Sequence, residues 1–106
     1  MFCRGDQYLY DPFNEDARKA VFKAFMQGYG KYGIKTIWID AAEPERMDAA
    51  NVGNWKFKLG TDAEVGEAWV QQHTRMIADG MASVGIQPDE YVACRRFSYQ
   101  DRHMFL

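Results

Sequence analysis

From Ala17 onward, apolar residues recur three and four positions apart: Ala17, Val21 and Phe25 on one line, Phe22, Met26 and Tyr29 on the next. That spacing predicts an amphipathic helix over residues 15–31. Asn14 suits its N-cap, Glu15 and Asp16 give it an acidic first turn, and Lys31 followed by Gly33 marks its end. The pattern then changes. Ile34-Lys35-Thr36-Ile37-Trp38-Ile39 is short, rich in β-branched residues and almost continuously apolar. It predicts a strand covered on both faces, as in a parallel sheet, ending at Asp40. Residues 41–61 keep no clean period. So long a connection is functional or disordered as a rule, and Trp55 and Phe57 favour an ordered loop.

Thr61-Asp62-Ala63-Glu64 has the form of a capping box. Behind it Val65, Trp69, Met76, Gly80 and Ala68, Met81, Val84 trace a helical face, which predicts a helix over residues 62–83 closed by Gly85. Tyr91-Val92-Ala93-Cys94 predicts a second, shorter strand. The stretch ahead of all this, Met1 to Asn14, is aromatic and turn-like, with Tyr8, Tyr10, Asp11 and Pro12. The order helix, strand, long loop, helix, strand is a run of β/α units and implies parallel strands. There is no internal repeat and no Pro- or Ser-rich linker.

Composition narrows the function classes. The 106 residues suffice for one small domain, and 47% apolar with 15% aromatic content excludes intrinsic disorder. Thirteen basic and 15 acidic residues are evenly mixed, for a net charge of −2, which argues against a nucleic-acid binder led by a basic patch. Cys3 and Cys94 are too few for a disulfide scaffold, so a reduced, cytoplasmic setting is the default. Arg4 and Asp6 interrupt any signal-peptide core, and no uncharged stretch is long enough to span a membrane. His73 and His103 are far apart, and Cys3 and Cys94 lack metal-ligand spacing, so the expectation is no metal. Gly28-Tyr29-Gly30 falls at a helix end and is not a phosphate loop. Met26, Met76 and Met81 fit helix faces as core residues.

Asp40 is the candidate that carries chemistry. It directly follows an apolar strand and opens a long loop, the place where barrels of β/α units hold their catalytic side chains. Glu43 and Glu45 lie close by, with Pro44 fixing the backbone between them. A carboxylate cluster there suits glycoside chemistry, a divalent cation or a solvated loop, and spacing alone does not choose.

Trp38-Ile39-Asp40-Ala41-Ala42-Glu43-Pro44-Glu45 resembles the nucleophile motif of glycoside hydrolase family 31, the family of α-glucosidases and α-xylosidases. Tyr10-Asp11-Pro12-Phe13-Asn14, Ala17-Arg18-Lys19 and Tyr32-Gly33-Ile34-Lys35 resemble the segment that leads into that motif in the family. Gly60-Thr61-Asp62-Ala63-Glu64-Val65-Gly66 and Ala68-Trp69-Val70 resemble the family's segment on its C-terminal side. The likeness runs over residues 8–94. It implies a fragment of a (β/α)8 TIM barrel and retaining hydrolysis of an α-linked oligosaccharide or glycoside, with no cofactor. By carry-over, Asp40 is the nucleophile. Trp38, one pleat earlier, faces the sugar or packs in the barrel, Glu43 shapes the surroundings of Asp40, and Arg95 matches a substrate-binding Arg.

The family's acid/base Asp lies in a Trp-Ser-Gly-Asp-like stretch after the next strand, and these 106 residues contain no such stretch. Cys94-Arg95-Arg96-Phe97-Ser98-Tyr99-Gln100 begins like the family's Arg-Ser segment, but residues 96–106 diverge from it. A truncated gene model or a frameshift near residue 96 explains both, and Asp101 is a candidate replacement acid. The expectation is a partial catalytic domain over residues 1–106, inactive by itself. The alternatives are a non-catalytic α/β binding or interaction fragment and a small nucleotide-type α/β domain.

Overall fold

The computed structural model of the chain describes residues 9–39 and 55–95, the last three as backbone only. Its elements are α1 (Glu15–Gly28), β1 (Thr36–Ile39), α2 (Asp62–Val65), α3 (Trp69–Ser83) and β2 (Val92–Arg95). Short 3-10 turns occupy Gly30–Tyr32, Gly66–Ala68 and Pro88–Glu90. The predicted loop thus falls partly outside the described residues. Its last stretch, 55–61, is an ordered hairpin closed by the antiparallel bridge Lys56↔Thr61.

α1 starts where the sequence places it. The Asn14 carboxamide oxygen accepts the Asp16 N–H at 3.1 Å, satisfying a donor that the first turn leaves free. It ends at Gly28, short of the expected Lys31. Gly28 and Gly30 flank Tyr29, glycine is a poor helix former, and the chain tightens into a 3-10 turn through Tyr32. Gly33 then takes φ +79°, a left-handed turn that aims the chain into β1.

The predicted helix over 62–83 is two helices. Val65 has φ −125° and ψ −2°, outside helical geometry, and the residues after it form a 3-10 turn before α3 begins. A β-branched residue followed by Gly66 is a weak point for helix propagation. The break shifts the buried face. Trp69, Met76, Gly80 and Met81 are buried as the spacing predicts, but so are Val70 and Ile77, while Val84 is exposed. α3 closes in a Schellman arrangement. The Ile86 N–H bonds the Met81 carbonyl at 3.0 Å, and the N–H of Gly85, at φ +78°, bonds the Ala82 carbonyl at 3.1 Å.

β1 and β2 pair in parallel, from Thr36↔Val92 to Ile39↔Arg95. Ile34 and Lys35 lie outside β1, although the Lys35 carbonyl still accepts the Val92 N–H at 2.9 Å. Ile37 and Ile39 turn toward the helices. Ile39 joins Phe22 of α1 and Met76, Ile77 and Met81 of α3 in the core, with Ile37, Ile86 and Tyr91 packed against it. Of the two faces expected to be covered, the described elements cover one. Thr36 and Trp38 alternate onto the other face, where Trp38 is 74% exposed, and Val92 of β2 is 52% exposed. Both helices contribute to the one core on the Ile37–Ile39 side, so the described elements cover that face only.

Candidate functional site at the strand ends

The parallel register puts the C-terminal ends of β1 and β2 on one edge. Each helix leads through a short connection into the start of the next strand, so α1 and α3 begin at the opposite edge, where the strands end. The turn Tyr10–Asn14 and the hairpin 55–61 immediately precede α1 and α2 at this edge.

Of the predicted site residues, Trp38 is described in full. It stands on the uncovered face of β1, opposite the helices. Asp40 and Glu43 lie outside the described residues. The backbone of Arg95 pairs with Ile39, the residue before Asp40, and its side chain also lies outside the described set.

Two arrangements at this edge were not legible in the sequence. The first joins Tyr10 to α3. The Tyr10 hydroxyl and His73 Nδ1 are hydrogen-bonded at 2.7 Å. The His73 ring stacks on Trp69 with centroids 5.0 Å apart, and Tyr10 meets Trp69 edge-on at 5.6 Å. Trp69 and His73 are four apart and so share a helix face, the signal that the sequence did hold. His73 is thus a partly packed histidine. Burial pushes the Tyr10 phenol up to about 12, with the Arg18 charge working the other way.

The second arrangement centres on Asp11. One carboxylate oxygen accepts the Phe13 N–H at 3.0 Å, and the other accepts the Lys58 N–H at 2.6 Å. The Asn14 N–H bonds the Asp11 carbonyl at 3.2 Å, Pro12 is fully buried, and Arg18 donates to the Pro12 carbonyl at 2.6 Å. Phe13 packs on Phe57 with ring centroids 5.5 Å apart. The hairpin holds itself through Phe57 N–H to Gly60 O at 2.8 Å and joins α2 through Asp62 N–H to Trp55 O at 2.9 Å. The Glu64 carboxylate accepts the Thr61 N–H at 2.9 Å and the Thr61 hydroxyl at 2.8 Å. These bonds hold the Glu64 carboxyl below its usual range.

Among the described residues no three His, Cys, Asp or Glu side chains are placed to hold a metal ion, and no helix is long and apolar enough to cross a membrane. A cavity of about 320 Å³ opens between α1 and α3 over Phe22, Met26 and Met76, and Trp38, the one predicted site residue described in full, does not line it.

No protein-family profile matches the chain. It is 31% identical over 81 residues to an uncharacterized family 31 glucosidase, ORF2, of Pseudescherichia vulneris, a match covering 76% of this chain and 15% of that relative. Its structure resembles the crystal structure of a GH31 α-xylosidase from a soil metagenome, complexed with xylose, with a TM-score of 0.75 and 30% identity. That likeness covers 84% of this chain and 13% of the xylosidase. The chain is similar to family 31 glycosidases in sequence and in backbone, and it spans a small part of their length.

Proposed function

We propose that this family 31-like chain is part of the catalytic barrel of a retaining glycosidase that cleaves α-linked glucosides or xylosides. The observation that carries this reading is the backbone likeness to the α-xylosidase over 84% of the chain at 30% identity. The uncovered face of β1 supports it. A strand with helices on one side and an exposed Trp38 on the other is what remains when a barrel wall is taken without the rest of its ring.

In this reading residues 1–106 form a partial barrel of the (β/α)8 type, with 96–106 a divergent tail. Asp40 follows β1 at the edge where such barrels build their sites. Its ionised carboxylate attacks the anomeric carbon and forms a glycosyl ester, while the glycosidic oxygen leaves with a proton from a separate acid. Water then hydrolyses the ester with net retention. Trp38, two residues before Asp40, lines the sugar site, Glu43 shapes the surroundings of the nucleophile, and Arg95 binds substrate. Two carboxylates suffice for this chemistry, so no cofactor enters it. The second carboxylate belongs to a Trp-Ser-Gly-Asp-like stretch, which the 106 residues do not contain. The 106-residue polypeptide alone is expected to turn over no aryl α-xyloside.

The test is a chimera in which residues 9–95 replace their counterpart in the soil-metagenome α-xylosidase. The folded chimera is expected to hydrolyse an aryl α-glycoside, and Asp40→Ala is expected to abolish turnover. A folded chimera without activity, or one whose activity survives Asp40→Ala, contradicts the proposal.

A further inference from the structure

We propose that Asp11 is a positioning residue that clamps the Trp55–Thr61 hairpin to the turn ahead of α1. The partners lie 47 positions apart in sequence and meet at the edge where β1 ends. The two carboxylate oxygens divide the work. One closes the local turn by accepting the Phe13 N–H at 3.0 Å, and the other reaches across to the Lys58 N–H at 2.6 Å. The second bond has the short length of a charge-assisted one.

The carboxylate is mounted on a turn that is itself fixed. The Asn14 N–H holds the Asp11 carbonyl, Pro12 is fully buried, and Arg18 of α1 holds the Pro12 carbonyl. Among the described residues, the hairpin's own backbone bonds run within it or to the start of α2. Asp11 therefore adds a polar tie between the hairpin and the neighbouring loop, and the Phe13–Phe57 contact closes the same junction with apolar surface. Aligning the loops ahead of the two helices is a positioning task, because barrel sites are assembled from such loops. That this edge is the reactive one rests on the glycosidase reading. The clamp itself is tested without turnover, so each idea can fail while the other stands.

Asparagine at position 11 separates the two bonds. It keeps one carbonyl oxygen for the Phe13 N–H and puts an NH2 where Lys58 needs an acceptor. In Asp11→Asn, amide hydrogen exchange at Lys58 is expected to quicken about tenfold, with Phe13 and the α1 and α3 amides unchanged. The Lys58 amide proton resonance should also move upfield as the charged acceptor is lost. In Asp11→Ala both Phe13 and Lys58 should open. Unchanged Lys58 exchange in Asp11→Ala overturns the clamp. So does exchange that quickens equally at Phe13, Lys58 and the helices, or loss of helical ellipticity, since either makes Asp11 a general stability residue.

Discussion

Tyr10 shows how a single side chain ties the leading turn to α3. Its hydroxyl meets His73 and its ring meets Trp69, and burial raises the phenol to about 12 from an ordinary 10.0. As pH rises past 10, the unfolded chain releases this proton while the folded chain keeps it, so the unfolded state gains. Stability from Tyr10 is complete below about pH 10 and drains away by about pH 12. Urea midpoints should fall more steeply across that window in the native chain than in Tyr10→Phe. Equal slopes would show that the phenol is as solvated folded as unfolded. None of this was readable from Tyr10 in a turn-like aromatic segment, because its hydroxyl partner lies 63 positions away on another element. The resemblance of one stretch to the family's nucleophile motif needed no such distant contact. Trp38 through Glu45 is contiguous, so local pattern alone carries the expectation that Asp40 reacts.

At the scale of elements, local signals worked where local physics decided. Asn14 caps α1, Thr61 and Glu64 bond at the start of α2, and Gly85 closes α3, each using groups within a few residues. Periodicity failed at Val65–Ala68. The apolar spacing continues through the break, while Val65 leaves helical geometry. On β1 it indicates a strand buried on both faces, while the described elements cover one, because a run of apolar residues does not reveal what supplies the cover. The helix pair has its own test. A Cβ at Gly80 would run into the Phe22 ring, so α1 and α3 approach closely there because the residue has no side chain. Gly80→Ala gains helix propensity but overpacks this contact, and a net loss of about 1–3 kcal/mol is expected in chemical denaturation. A stabilised Gly80→Ala protein would mean that the helices sit farther apart.

At the scale of the whole molecule, the described residues form a helical layer on one face of two parallel strands and leave the opposite face uncovered. Exposed Trp38 and Val92, next to strand edges that no other described strand pairs, should make the 106-residue chain associate with itself. Sedimentation at rising concentration should show oligomers, and Trp38→Lys should reduce them. A monomer at all concentrations would mean that this face is covered within the chain. The same exposed face is what a barrel would enclose, and it lies beside the position where the proposed nucleophile follows β1. The most direct measurement is covalent trapping in the xylosidase chimera. Incubation with a fluorinated α-glycosyl fluoride, then peptide mass spectrometry, should find one sugar esterified on the peptide that carries Asp40. Label on another residue, or continued turnover with no label on Asp40, would contradict the assignment of Asp40 as the nucleophile.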